Sequence, residues 1–355
     1  MPGRSLEMKT EHILIIRFSS IGDVAMTVPV VYSLAQQYPR LRITMLSKPF
    51  AKPLFDNLAP NVGFMEADLK NEYHGLKGLN ALYRRLTAKN FTAIADLHNV
   101  LRSDYLRMRF NFGMYHVAHL DKHRLLRKQL TSYNNKVLKP IPTAFDNYKQ
   151  VLAELGYPID IKFKSIFSNG ENGLSQLPAC IGEKKAFQQW IGVAPFAAHP
   201  GKTYPLQRME QVIAEMVRLH PSCRIFLFSG KGREAALLKD IADKYRNCLC
   251  VAPVLDGLRQ ELVLMSHLDV MVSMDSANMH LASLVGTPVV SVWGATHPFA
   301  GFMGWGQSPE NIVQMDLPCR PCSIYGNKPC RRGDYACMER IDPGMIVEKI
   351  ERLIK

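Results

Sequence analysis

Several signatures that would assign a nucleotide-binding chain at once are missing from these 355 residues. No Gly-x-Gly-x-x-Gly follows the first apolar strand, His12–Phe18, which argues against a dinucleotide-dependent oxidoreductase. No Walker A phosphate loop is present, and Gly230-Lys231-Gly232 is only a turn that carries a lysine. There is no RNA- or DNA-binding signature and no aromatic-and-basic repeat, so nucleic acid is not an expected partner. A convincing signal peptide is also lacking, because the run His12–Phe18 is short, is broken by Arg17 and is preceded by Glu7 and Glu11. Between Ser276 and Pro309 there is no Asp, Glu, Lys or Arg. A run of that length is enough to span a bilayer. However, Asn278, His280, Gly286, Pro288, Gly294, His297 and Pro298 divide it into turn, helix, strand and loop, and it reads as the buried heart of an α/β domain. The expected location is the cytoplasm, with the inner face of the inner membrane as a contact.

Acidic residues are scarce as well: 31 against 44 Lys and Arg, a net charge of +13. That balance favours an acidic partner such as an anionic membrane surface or a phosphorylated substrate. The basic residues concentrate between Arg102 and Lys139, a stretch whose only acids are Asp104 and Asp121. Such a stretch is either a solvated basic face or a surface for anionic lipid or a charged acceptor.

What is present is a double series of strand–helix alternations. The length suits two ordinary domains, and 47% hydrophobic with 21% charged residues is normal for a globular chain. The first series places strands at His12–Phe18, Arg42–Ser47, Val62–Glu66, Phe91–Asp96 and Met114–Leu120. Its helices fall at Val24–Gln37, Lys52–Leu58, Leu76–Ala88, Val100–Phe110 and Ala144–Leu155. Tyr157–Glu183 is rich in Pro, Gly and Asn and reads as a linker. A second series runs from the strand Trp190–Phe196 to an amphipathic helix at Asp342–Lys355, whose Ile346, Ile350 and Leu353 recur at helical spacing. The expected organisation is a domain over 1–170, a linker over 171–187 and a domain over 188–355, each a doubly wound α/β sheet.

Three strand-to-helix turns stand out. Asp269–Gly286 reads as a short buried strand, a polar turn and a helix, with Asp275 or Ser276 able to cap that helix. Small residues at Ser276, Ala277 and Ala282 allow close approach, and a helix N-terminus after a parallel strand suits an anion such as a pyrophosphate. His280 falls on the first turns of that helix. The plain alternative is a capped strand–helix unit with a core histidine. Gly22-Asp23 follows the first strand, where Asp23 is either a ligand-edge carboxylate or an ordinary helix cap. Asp96, His98, Arg102 and Ser103 cluster at a third such turn.

Ser19-Ser20-Ile21-Gly22-Asp23-Val24-Ala25-Met26-Thr27-Val28-Pro29, Asp275-Ser276-Ala277-Asn278-Met279-His280-Leu281-Ala282 and Val292-Trp293-Gly294-Ala295-Thr296-His297-Pro298 together resemble the ADP-heptose:lipopolysaccharide heptosyltransferase family. The resemblance spans nearly the whole chain. It implies a GT-B fold, two Rossmann-like doubly wound domains with an interdomain cleft, the first binding acceptor and the second binding nucleotide sugar. It implies inverting transfer of heptose from ADP-heptose to the inner core of lipopolysaccharide, with no cofactor required for catalysis. By the same resemblance Asp23 is the catalytic base and Lys202, in Gly201-Lys202-Thr203-Tyr204-Pro205, contacts donor phosphate. Gly22, Asp275, Ser276, Ala277, Asn278 and His280 are the donor-binding candidates, and Asp96, Arg102, Ser103 and Arg124 the acceptor-binding candidates. The chain departs from the family at Ala277, where a glycine is usual, and at Ala197 and Ala198, where small hydroxyl residues are common. The rival readings are a GT-B transferase or epimerase acting on another nucleotide sugar, and a non-catalytic basic adaptor braced by zinc.

Four of the eight cysteines lie together as Cys319-x2-Cys322-x7-Cys330-x6-Cys337. That set has the ligand count for a structural zinc site, or it forms a metal-free loop. Cys180, Cys223, Cys248 and Cys250 read as small core residues.

Overall fold

The structure is a computed structural model and describes residues 11–354. The expected N-terminal tail, Met1–Thr10, and the terminal Lys355 lie outside the described residues. Contacts divide the chain into two compact units: residues up to Lys122 together with Ala144–Phe163, and His123–Thr143 together with Lys164 onward.

The first unit is built on β1 (His12–Ile16), α1 (Ile21–Ala25), α2 (Val28–Gln37), β2 (Arg42–Ser47), β3 (Val62–Glu66), α3 (Gly75–Thr87), β4 (Ala93–Asp96), α4 (Leu101–Phe112) and β5 (His116–His119). The next helix, α5 (Arg124–Leu130), belongs by its contacts to the second unit, and α6 (Ala144–Glu154) returns to the first. The five strands are parallel in the order β3-β2-β1-β4-β5. Every residue of β1 and β4 is buried, as expected of central parallel strands covered on both faces. One face packs Leu14, Ile16 and Ile94 against Leu79, Leu82 and Leu86 of α3 and Leu106 and Phe110 of α4.

Two first-unit helices differ from the sequence reading, and proline explains both. The helix expected over Val24–Gln37 is two helices, because Pro29 lacks an N–H and suits only a first turn; the chain breaks at Met26-Thr27 and restarts. The helix expected over Lys52–Leu58 is instead a 3-10 segment at Pro49–Leu54, where Pro49 and Pro53 remove donors.

The second unit contains β6 (Trp190–Ala194), α7 (Leu206–Leu219), β7 (Arg224–Leu227), α8 (Arg233–Ala242), β8 (Cys248–Cys250), α9 (Gly257–Met265), β9 (Val270–Met274), α10 (Ala277–Leu284), β10 (Val289–Trp293), β11 (Ile312–Gln314), α11 (Ala336–Glu339) and α12 (Pro343–Leu353). Its six parallel strands run β11-β10-β9-β6-β7-β8. α12 is capped by Asp342, whose carboxylate accepts from Gly344 N at 2.7 Å. Its Ile346 and Ile350 pack in one core cluster with Met209, Val212, Ile213 and Met216 of α7, residues at the spacing of one helix face.

Residues 123–143 and 164–170, read from the sequence as part of the first domain, pack with the second unit. Leu130 and Ile141 form a small cluster with Ala300. Ile141 N donates to Phe299 O at 3.0 Å, and Ile166 N to Leu284 O at 2.9 Å. Short-range patterning carries no trace of these distant pairings. α5, β11 and α11 were likewise not foreseen. Within 171–187 there are two 3-10 turns, Leu174–Gln176 and Ala179–Ile181, and no α-helix. The uncharged stretch 276–309 forms α10, β10 and their loops. Among the described residues no helix is long and apolar enough to cross a membrane.

Candidate functional site

In an open parallel sheet, ligands sit outside the carboxyl ends of the strands where the order of connection reverses. The first unit reverses between β1 and β4, and the second between β6 and β9. The sequence-selected turns leave those four strands.

In the first unit, Ile16 is paired with Asp96 across the reversal. Asp23 occupies the first turn of α1 and reaches back to accept from Ser20 N at 3.0 Å and Ser20 Oγ at 2.7 Å. Its other oxygen lies 2.9 Å from Nη2 of Arg17. Arg17, buried, also donates to Leu97 O at 2.7 Å, so one guanidinium ties the β1 exit to the β4 exit. The Asp23 side chain stays about a quarter exposed, at 26%. An orienting cation, a defined hydrogen-bond donor and access to solvent suit a carboxylate that takes a proton from a bound hydroxyl.

Asp96 is different. It is fully buried, and its Oδ1 accepts from the backbone N–H groups of His98 and Asn99, each at 2.9 Å, with Arg107 at 3.4 Å from the other oxygen. Ser103, also fully buried, accepts from Val100 N at 3.0 Å. The structure therefore turns Asp96 and Ser103 inward as builders of this turn. Of the four acceptor-binding candidates, Arg102 and Arg124 are the exposed ones. Arg102 is on α4 in the first unit and Arg124 begins α5 in the second.

His98 sits on the same turn, with its ring edge-on to Phe18 at 5.9 Å and its Nδ1 buried without a hydrogen-bond partner. Burial, reinforced by Arg17 and opposed by Asp23, pushes its pKa down to about 3. It is a neutral imidazole at physiological pH.

In the second unit, Ala194 pairs with Ser273 across the reversal. Lys202 ends a 3-10 turn after β6, and its Nζ lies 3.2 Å from Oδ2 of Asp275, just beyond β9. The same oxygen accepts from Thr296 Oγ1 at 2.7 Å. Asp275 is buried, so three loops meet at one carboxylate. The expected capping of α10 by Asp275 or Ser276 does not occur. Asp275 is taken by Lys202 and Thr296, and the Ser276 hydroxyl lies 3.3 Å from that of Ser273. Ala277 and Asn278 remain partly exposed at the start of α10, while His280 is buried. Gly22 is buried in α1 of the first unit, and the other donor-binding candidates belong to the second. Ala197 and Ala198 precede the Lys202 turn.

Behind these loops lies Arg320, which no sequence motif singles out. Its guanidinium is buried and donates to the carbonyls of Gly294, Met315 and Thr296, the last at 3.0 Å. Burial pulls its pKa below the usual arginine range, and the carbonyl oxygens compensate. Gly294 and Gly201 let two loops touch. Ala295 N donates to Gly201 O at 2.7 Å, and a Cβ on Gly294 would come within 2.4 Å of that same oxygen. The charge of Arg17 inside an otherwise apolar run is the signal that marks it; nothing local marks Arg320.

Cys319, Cys322, Cys330 and Cys337 line one cavity of about 110 Å3 in the second unit. Among the described residues no group of three or more His, Cys, Asp or Glu is disposed to hold a metal ion. Cys337 packs in the apolar core, and the Cys322 thiol is turned to Ala295 O at 3.8 Å. Burial raises both thiols, Cys337 to about 11.

A family model described as glycosyltransferase family 9 (heptosyltransferase) matches residues 79–331. Over 290 residues the chain is 22% identical to the lipopolysaccharide core heptosyltransferase OpsX of Haemophilus influenzae, covering 80% of this chain and 79% of that one. The glycosyl transferase family 9 structure from Veillonella parvula superposes with a TM-score of 0.72 at 18% identity, covering 98% of each chain. The Escherichia coli heptosyltransferase WaaC with ADP-2-deoxy-2-fluoro heptose superposes with a TM-score of 0.66 at 19% identity, covering 96% of this chain and 99% of that one. The two Rossmann-like parallel-sheet units are thus those of the GT-B fold.

Two outcomes follow from this geometry. Gly294→Ala should lower stability by about 1–3 kcal/mol, read as a lower urea midpoint; an unchanged midpoint would show that the two loops yield freely. His98, neutral when folded and titrating near 6.5 when unfolded, contributes stability that is intact above about pH 6.5 and lost as the pH falls toward 3. The melting temperature of His98→Gln should therefore fall less steeply than that of the parent between those limits.

Proposed function

The chain belongs to glycosyltransferase family 9, the heptosyltransferases, and we propose that it transfers heptose from ADP-heptose to the inner core of lipopolysaccharide with inversion at the anomeric carbon. The observation that carries this reading is the Lys202–Asp275–Thr296 junction at the start of α10. A diphosphate leaving group gathers negative charge as the sugar departs. Lys202, fixed by Asp275, and the N-terminal end of α10 supply positive potential where that charge develops. Ala277 and Asn278 line the approach to that helix end, and Ala277 in place of glycine narrows it. His280 is assigned to the same donor half-site through its place on α10.

On the acceptor side, Asp23 is the proposed general base. As the acceptor oxygen bonds to the anomeric carbon, the bond to the ADP oxygen breaks and the acceptor proton passes to Asp23. Arg17 and Ser20 keep the carboxylate in one orientation, so little reorganisation is needed at the moment of transfer. Arg102 and Arg124 are the charged groups assigned to an anionic acceptor, and Asp96 and Ser103 support the turn that presents Arg102. The four cysteines are given no chemical step. A lipid-borne acceptor would bring the protein to the cytoplasmic face of the membrane.

Release of ADP from ADP-heptose in the presence of a Kdo–lipid A acceptor tests the reading directly. Asp23→Asn should lower kcat by about 10^2–10^4-fold, while ADP-heptose still raises the melting temperature of the variant. Full transfer by Asp23→Asn would remove the base assignment. Stabilisation by UDP-sugars but not by ADP-heptose would remove the donor assignment.

A further inference from the structure

The first unit exposes an apolar stripe that its own fold leaves uncovered. α4 buries Ser103, Leu106 and Phe110 against the sheet. Its opposite side carries Leu101, Met108 and Phe112, spaced i, i+7 and i+11 on a single helix face, while Tyr105 between them packs against the core and donates to Asn80 Oδ1 at 2.7 Å. Leu101 is 87% exposed, Phe112 80%, and Met114, just past the helix end, 91%. Leu76, at the start of α3, is also exposed, and with Leu101, Tyr105 and Arg102 it lines a groove of about 430 Å3. Isolated surface leucines are ordinary, but several large apolar groups in a row on one helix mark a contact surface.

Charge identifies the contact. Lys77, Arg84 and Arg102 are exposed on the same two helices, and the Arg109 guanidinium lies 4.8 Å over the Tyr83 ring. The nearby acids are already engaged, Asp104 with Arg107 at 2.9 Å and Glu72 with Arg85 at 3.8 Å. An apolar row bordered by arginine and lysine fits acyl chains beneath anionic headgroups. It fits a second copy poorly, because a two-fold contact would set these same cations against each other.

We infer that the exposed face of α4, with Leu76 of α3, docks this protein onto an anionic phospholipid bilayer, with Leu101, Met108, Phe112 and Met114 entering the acyl boundary and Lys77, Arg84 and Arg109 meeting the headgroups. The inference deepens the reading of a lipid-borne acceptor and rests on it. The stripe holds the enzyme at the surface where that acceptor lies.

Sedimentation with vesicles of phosphatidylglycerol and phosphatidylethanolamine, against vesicles of phosphatidylcholine alone, tests it. The parent should bind the anionic vesicles and release partly as salt rises. Leu101→Ser/Phe112→Ser should weaken that binding by about a hundredfold, at about tenfold per side chain. Both positions are exposed, so the melting temperature should stay at the parent value. Transfer to an acceptor dissolved in detergent should also be kept, and loss of transfer in the parent itself would count against the functional reading and not against the docking face. Equal vesicle binding by parent and double variant overturns the inference. So does a parent that is dimeric in solution and becomes monomeric in the variant, since the stripe would then be covered by a second copy.

Discussion

One buried carboxylate organises the second unit's half of the candidate site. Asp275 receives Lys202 from the loop after β6 and Thr296 from the loop after β10. An unpaired carboxylate at that depth would be costly, and removing one partner of a buried pair typically costs about 3–5 kcal/mol. The pair therefore fixes the lysine where the helix dipole of α10 already favours an anion. Arg320 fixes the same loops from behind through backbone oxygens. The arrangement is rigid because each loop is held from two sides: the Lys202 turn by Asp275 and by Ala295, and the Thr296 loop by Asp275 and by Arg320.

The first unit solves the matching problem with a cation. Arg17 directly follows β1, and its side chain holds Asp23 on one side and the β4 exit on the other. Both half-sites thus grow from the same topological rule. A parallel sheet that reverses its winding leaves two strand ends side by side with no helix between them, and polar side chains from two separate loops meet there.

Much of this was legible in the sequence. Arg42–Ser47, Val62–Glu66 and Val270–Met274 coincide with observed strands because each is a short apolar or β-branched run bounded by turn residues. Asp23 and Asp275 stand at strand exits in the sequence pattern, and Lys202 was marked through the family resemblance; the structure places Lys202 against Asp275. Asp96 misled, since a buried aspartate that caps its own turn has the same local pattern as one that faces a ligand. The partners Arg17, Thr296 and Arg320 act across 6, 21 and 24 residues of chain, and Arg320 in particular does so through backbone oxygens, which carry no residue identity. The cysteine spacing allows a metal knuckle or a metal-free loop, and the fold gathers all four around one cavity with Cys337 also packed in the core.

The allocation of residues 123–143 to the second unit changes what counts as a separable piece of this protein. The chain passes from one unit to the other at Lys122, at Thr143 and at Phe163. A fragment beginning at residue 164 would have the complete six-stranded sheet and still lack Leu130 and Ile141, leaving Ala300 and its aromatic neighbours without their cover. During synthesis that cover leaves the ribosome well before the sheet it will rest on. The second unit must therefore recruit a strap made early, and its completion is tied to the first unit's chain even though each sheet closes on its own.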